Sequence, residues 1–316
     1  MKKLSESHIM KAKHIIPGGD DPTCGIAIAA KQLVARSVGS DNEVWVHSMW
    51  TPLVIKASIK ALLSGKKLVR MPHGCTDPEK LRYHWNKKRW VAPIERWLFR
   101  KADRIIATCE AEKEWIKAFE PKVKRVEIVL LSAQSVGQLS AHVPLGNLAS
   151  KMGRRLLYVG RLHPLKGVEF LFEAVPQDCK LVVIGKDEGL GQKLREIATR
   201  RELDVEFKGV VSERDKEAAY QWCDVLVLPT LSENFGLVVA EAFERGKFVI
   251  TTDGAPAWAD LKPWQGIYIK GFRNGSENER IALLKNAITR GTSAEIGICA
   301  GCAGRTAACQ ASSSDG

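Results

Sequence analysis

"VLVLPTLSENFGLVVAEAFERGKFVITT", residues 225–252, decides how the rest of the chain is read. Two short aliphatic and β-branched runs, Val225 to Leu228 and Phe248 to Thr252, flank a segment of helical pattern. Apolar runs of four or five residues alternating with a helix mark a parallel sheet, whose strands are buried on both faces. One feature breaks the apolar pattern. The helix is hydrophobic almost all round, yet carries Glu241 in its middle and is preceded by Glu233. Leu237, Val238, Val239, Ala240, Ala242 and Phe243 surround Glu241, so its turn is expected to be largely buried. An unpaired buried carboxylate costs about 3 to 5 kcal/mol, so Glu241 requires a partner. The vicinal hydroxyls of a ligand would serve, as they do for the acidic residue of dinucleotide sites, and so would a structural lysine or arginine. Glu233 reads either as a charge complementing the helix dipole or as a ligand contact, with Phe235-Gly236 letting the backbone approach.

Outward from this unit the alternation continues. Strands are expected at Arg155 to Val159, Lys180 to Ile184, Val205 to Lys208 and Ile267 to Ile269, with helices at Leu190 to Arg201 and Asp215 to Trp222. The first half predicts strands near His14 to Ile16, at Val44 to His47, at Leu68 to Met71 and near Ile105 and Val126. Helices are expected from Ile26, from Leu53 and through Trp97. The fold class is therefore α/β: two Rossmann-like, doubly wound domains facing a cleft. Their expected bounds are 1–135, a small and polar linker at 136–153, 154–290, and a disordered tail at 291–316.

Ligands of such sheets bind beyond the carboxyl ends of the strands, at loops that lead into helix N-termini. In "VGRLHPLKGVEF", Arg161 and Lys166 stand five residues apart around a proline and ahead of Gly167. Two cations there form a pocket for a diphosphate, or an ordinary basic loop.

Composition narrows the class. The 316 residues are 45% hydrophobic and 27% charged, with a net charge of +12, enough chain for two cores. No apolar run approaches the roughly 20 residues that span a bilayer, and the opening "MKKLSESHIMKAKHIIPGG" has no apolar stretch behind its basic residues. A cytoplasmic location is expected, with Cys24, Cys75, Cys109, Cys179 and Cys223 reduced. Cys299 and Cys302 have metal-ligand spacing but stand in a Gly/Ala/Ser-rich stretch with no histidine after His163, so no metal site is expected. The basic charge is regional: 19 Lys/Arg against 8 Asp/Glu fall between Lys56 and Arg125. There "LRYHWNKKRWVAPIERWLFRK" interleaves aromatics with cations, the pattern of a helix on an anionic membrane surface and equally of a core helix with a solvated basic face. No nucleic-acid motif accompanies it, and no nucleic acid is expected as partner.

"YVGRLHPLKG", "LVVIGK", "CDVLVLPTLSENFGLVVAEAFERGKFVITTDGAP", "MPHGCTDPEK" and "KADRIIATCEAEKEWI" together resemble the retaining sugar-nucleotide glycosyltransferases of family 4, which have the GT-B fold. The resemblance runs from about Val44 to Pro256 and includes the E-x7-E spacing of Glu233 and Glu241. It implies transfer of a sugar, with retention, from a nucleotide-diphosphate sugar to a glycan or lipid-linked acceptor in cell-surface polysaccharide assembly. By resemblance Arg161 and Lys166 bind the diphosphate, and Glu233 meets the donor sugar. Asn234, Phe235, Gly236 and Leu237 offer backbone N–H groups, and Glu241 holds the ribose hydroxyls. His73, with Gly74, matches a histidine that reaches the transferred sugar, and Gly25 falls at a glycine-rich turn near the phosphates. Charge developing on a diphosphate leaving group must be stabilised. No Asp-x-Asp is present to hold a metal for that purpose, so a metal-independent enzyme without a cofactor is expected. Cys24 replaces a glycine of the pattern, a strand-helix unit after Ile26 is missing, and the tail replaces a terminal helix, so the first domain is read as shortened. Other enzymes of this fold, a sugar-nucleotide epimerase or a phosphorylase, and a non-catalytic nucleotide-sugar binder remain as alternatives.

Overall fold

A computed structural model describes residues 13–17, 42–83, 85–129, 155–261 and 266–292. Gly25, Cys24, Cys299, Cys302, the helix expected from Ile26, the expected linker and nearly all of the expected tail lie outside these residues. The chain divides into two compact units, 1–131 and 132–316.

In the first unit five parallel strands lie in the order β1-β2-β3-β4-β5: β1 Lys13–Ile15, β2 Glu43–His47, β3 Lys67–Met71, β4 Arg104–Ala107 and β5 Val126–Ile128. Strand β2 is buried along its whole length. The helix Pro52–Leu63 starts where Thr51 caps it and Pro52 occupies its first turn, a position where proline loses no helical hydrogen bond. Ser58 and Ala61 of that helix are buried, as are Leu98 and Phe99 of the helix Trp85–Lys101 and Ile116 and Phe119 of the helix Glu110–Phe119. Arg70 of β3 and Glu95 are both fully buried and meet at 2.8 Å, a polar knot within the core.

The second unit has six parallel strands: β6 Arg155–Val159, β7 Lys180–Ile184, β8 Asp204–Gly209, β9 Val225–Leu228, β10 Phe248–Thr252 and β11 Gly266–Ile269. Their order is β11-β10-β9-β6-β7-β8. This is the doubly wound order, with β6 and β9 adjacent although two strands separate them in sequence. The helices Val168–Ala174 and Glu277–Gly291 place Leu171, Phe172, Leu284 and Ile288 in one core with Leu156, Tyr158 and Val227. Ser276 and Glu279 form a capping box that fixes the start of the latter helix. Among the described residues no helix is long and apolar enough to cross a membrane.

Candidate active site

The strand order of the second unit creates a switch point. Chains leaving the carboxyl ends of β6 and β9 turn to opposite sides of the sheet, which leaves a crevice between their loops. The loop after β6 carries Arg161 and Lys166, and the loop after β9 carries Glu233 to Gly236. The backbone carbonyl of Leu165 ties the two together, accepting from Leu231 N at 2.9 Å, Ser232 N at 3.3 Å and Thr230 Oγ1 at 3.1 Å. Only glycine fits beside this tie: Gly167 has φ 61°, and a Cβ there would lie 2.0 Å from the Pro229 carbonyl oxygen.

That tie brings Lys166 to Glu233. The Lys166 ammonium donates to Glu233 Oε2, and both side chains are largely buried. The other oxygen of Glu233 accepts from Asn234 N at 3.1 Å, and Glu233 N donates to Gly254 O at 2.7 Å. Asn234 and Phe235 are buried, and the indole N–H of Trp258 donates to the Phe235 carbonyl. Gly236 precedes the helix Leu237–Glu244 with φ 73°, and a Cβ on it would approach Trp258 Nε1 to 3.2 Å. The loop is thus held from below by an aromatic floor, while the first-turn N–H groups of the following helix have no acceptor within that helix.

Arg161 is placed differently. Its guanidinium is half exposed and donates to Glu188 Oε2 at 2.8 Å, in the loop after β7. Its carbonyl accepts from the buried Tyr158 hydroxyl at 2.8 Å, and burial together with the charge of Glu233 pushes that phenol well above its usual pKa. The two cations therefore stand on one loop, each already holding a carboxylate.

The turn around Glu241 is largely buried, as expected: Val239, Ala240, Ala242 and Phe243 are buried, while the Glu241 side chain itself keeps 26% exposure and reaches the helix Glu213–Trp222. There it meets two partners. Tyr220 Oη donates to Oε2 at 2.8 Å, and Lys216 Nζ lies 3.2 Å from Oε1. Burial pulls the Lys216 ammonium down, but Glu241 and Glu213 outweigh it and leave its pKa above the usual value. Burial and then Glu241 push the Tyr220 phenol up. A lysine and a tyrosine, the latter not foreseen from sequence, thus partner Glu241.

His73 lies in the first unit, two residues beyond β3, with φ 53° and almost no exposure. Its Nε2 is 2.8 Å from His47 Nδ1, and His47 Nε2 is 3.0 Å from His14 Nδ1. Burial, with Lys80 nearby, holds His73 down at about 3. Burial, then His73 and His14, hold His47 well below its usual value. Gly74 N donates to Glu112 Oε1 at 2.5 Å, while Glu112 Oε2 accepts from Thr108 N and Oγ1, both at 2.7 Å. His14, His47 and Glu112 were not singled out from sequence. The spacing of histidines in separate strands carries no signal until the strands are ordered.

Comparison with known proteins fits the architecture. Residues 12–130 match the family model for Glycosyltransferase Family 4, and residues 146–282 match that for Glycosyl transferases group 1. WaaG, a glycosyltransferase involved in lipopolysaccharide biosynthesis, aligns with a TM-score of 0.63 at 16% identity, over 91% of this chain and 94% of WaaG. The chain has the GT-B fold, and each of its halves is similar to a glycosyltransferase family model. Another structure of this fold, Anabaena HepE in complex with UDP-glucose, aligns with a TM-score of 0.55 at 18% identity, over 87% of this chain and 82% of HepE. Phosphatidyl-myo-inositol mannosyltransferase of Mycobacterium tuberculosis is 32% identical over 111 residues, which are 33% of this chain and 29% of that protein. D-inositol 3-phosphate glycosyltransferase of Corynebacterium kroppenstedtii is 26% identical over 181 residues, 49% of this chain and 39% of that one. The chain thus spans well under half of the length of these curated relatives. In this GT-B chain both Glu233 and Glu241 sit on the β9 side of the switch point, and Arg161 and Lys166 on the β6 side.

Proposed function

We propose that the protein transfers a sugar, with retention of configuration, from a nucleotide-diphosphate sugar to a glycan or lipid-linked acceptor of the cell envelope. The observation that carries this reading is the meeting of Lys166 and Glu233 from loops 67 residues apart at the switch point of a doubly wound sheet. A diphosphate entering that crevice competes for Lys166 and Arg161, which then exchange Glu233 and Glu188 for phosphate oxygens. Release from Lys166 leaves Glu233 to accept from hydroxyls of the donor sugar. As the sugar to diphosphate bond breaks, charge grows on the leaving oxygens, and preorganised cations stabilise it without waiting for solvent to reorganise. The backbone of Asn234 to Leu237 adds the N–H groups of a helix N-terminus. Glu241 keeps one face exposed and takes the ribose hydroxyls alongside Tyr220 and Lys216. His73 is assigned by resemblance to the transferred sugar, and Gly25 to the phosphates. No metal or cofactor enters this reading.

The first unit supports attachment to an anionic membrane surface. Trp90 is 74% exposed, and Ile94 and Trp97, one and two turns on, are exposed with it, next to Lys87, Arg89, Arg96 and Lys101. Apolar side chains at this spacing among cations suit the headgroup boundary of a cytoplasmic leaflet.

The test is calorimetric titration of the full chain with UDP- and GDP-sugars, followed by product analysis with labelled donor and membrane-derived acceptors. Binding together with acceptor-dependent transfer and an unchanged anomeric configuration is the expected result. Turnover without an acceptor would point to an epimerase, and binding without turnover to a non-catalytic binder.

A further inference from the structure

The first unit's sheet holds three imidazoles in a row: His14 in the edge strand β1, His47 at the end of β2 and His73 just past β3. Their rings are near-parallel, with centroids 5.3 Å and 5.1 Å apart. The joining contacts are His14 Nδ1 to His47 Nε2 at 3.0 Å and His47 Nδ1 to His73 Nε2 at 2.8 Å. Each such bond needs one protonated and one bare ring nitrogen, and a neutral imidazole has one of each. The array therefore has two consistent states. If His73 Nε2 accepts from His47 Nδ1, then His47 Nε2 is bare and accepts from His14 Nδ1. If His73 Nε2 donates, His47 Nε2 carries the proton and donates to His14 Nδ1. All three rings share one tautomer in either state, protonated at Nδ1 throughout or at Nε2 throughout.

Burial keeps the inner two rings neutral, since His47 has no exposed surface and His73 almost none. The backbone of His73 is fixed as well: it sits in the left-handed region, and the buried Glu112 carboxylate holds the N–H of Gly74. With Nε2 committed to His47, the remaining nitrogen of His73, Nδ1, is a donor in one state and an acceptor in the other. We propose that His47 is a positioning residue which, through the His14–His47–His73 array, sets the tautomer of His73 and so decides whether its Nδ1 offers or accepts a hydrogen bond from a hydroxyl of the transferred sugar. The sugar contact rests on the reading of His73 given above; the coupling of the three tautomers does not.

The test uses the full chain labelled with 15N-histidine. Ring nitrogen shifts at neutral pH should assign one shared tautomer to His14, His47 and His73, with nitrogen–nitrogen coupling across both hydrogen bonds. Unlike tautomers within the array, or a cationic ring at His47 or His73, would overturn the proposal. His47→Asn should move the His73 ring shifts and lower turnover of the sugar nucleotide retained in the titration by about tenfold or more, the order expected when a reacting contact is misplaced by a fraction of an ångström. Its affinity, read in the second unit, should stay unchanged. Because His47 is wholly buried, His14→Ala on the edge strand is the second variant. It should still move the His73 shifts across one intervening ring, and unmoved shifts would overturn the coupling. Unchanged turnover in His73→Ala would remove the sugar contact alone, leaving the coupling to be judged by the spectra.

Discussion

Tyr220 Oη donates a 2.8 Å hydrogen bond to Glu241 Oε2, joining two helices through residues 21 positions apart in sequence. The carboxylate is thereby oriented, with Lys216 balancing its charge. Glu241→Ala is expected to weaken nucleotide-sugar binding by roughly 1.5 to 3 kcal/mol, the range for hydrogen bonds to a charged group. Tyr220→Phe should weaken it less, because Lys216 still holds the other oxygen. Calorimetric dissociation constants decide this. If Glu241→Ala leaves them unchanged, Glu241 is a structural ion of the helix pair.

Lys166 is expected to act on turnover more than on affinity. Its ammonium exchanges a glutamate for a phosphate, so ground-state binding gains little, whereas a charge that grows on the leaving group is stabilised fully. Lys166→Ala should lower kcat by about 10² or more, and Arg161→Ala likewise, as for removal of a preorganised transition-state contact. Wild-type rates in both variants would eliminate the diphosphate pocket.

The buried histidines predict an acid-labile first unit. His73 is held at about 3 and His47 well below its usual value, while both return to about 6.5 when unfolded. A histidine depressed in the folded state leaves the unfolded chain binding more protons, so its contribution is complete above about 6.5 and is lost as pH falls toward 3. The slope is about 1.4 kcal/mol per pH unit for each ring. Glu112 works in the opposite direction, since burial raises its carboxyl and proton uptake below that raised value favours the fold. Melting temperatures recorded from pH 7 to pH 5 should fall steadily, and His73→Asn should flatten the slope. A flat wild-type profile would refute the assignment of both rings as neutral.

Arg70 and Glu95 give a stability prediction independent of function. Glu95 also accepts from Trp50 N at 2.8 Å, and Arg70 lies over the Phe99 ring. Removing one member strands a buried charge, so Glu95→Ala should cost about 3 to 5 kcal/mol. The double variant Arg70→Met/Glu95→Leu should cost less than the single one. Urea unfolding of the three proteins measures the difference, and a double variant less stable than Glu95→Ala would contradict the account.

For the exposed aromatic face, Trp90→Ala with Trp97→Ala should reduce flotation with phosphatidylserine-containing vesicles, and binding of the wild type should weaken as salt shortens the screening length from about 10 Å at 0.1 M. Equal binding to neutral vesicles would count against an electrostatic anchor.

Most strands were legible in the sequence because parallel strands buried on both faces read as short aliphatic runs. Arg155 to Val159, Lys180 to Ile184, Val225 to Leu228 and Phe248 to Thr252 occur with those bounds. Several other strands and helices begin a residue or two earlier than expected, as at Glu43, Pro52 and Glu213, whereas the helix expected from Leu190 begins at Gly191. At Pro52 and Glu213 the true start is set by a capping hydroxyl, Thr51 or Ser212, ahead of the apolar periodicity.

The sequence by itself determined that Arg161, Lys166 and Glu233 lie in loops after strands, and Glu241 in the helix that follows one, because local pattern fixes where strands end. Which of these groups meet was decided only in three dimensions. Strand β6 pairs with β9 on one side as well as with its sequence neighbour β7 on the other, and that order brings Lys166 to Glu233. The same holds for Glu241, whose partners belong to another helix, and for His14, His47 and His73, which become neighbours because β1, β2 and β3 lie side by side. The physical reason is the range of the interactions. Hydrophobic periodicity is written within a few residues, whereas ion pairs and hydrogen bonds between separate elements depend on how the sheet orders its strands, which no local pattern encodes.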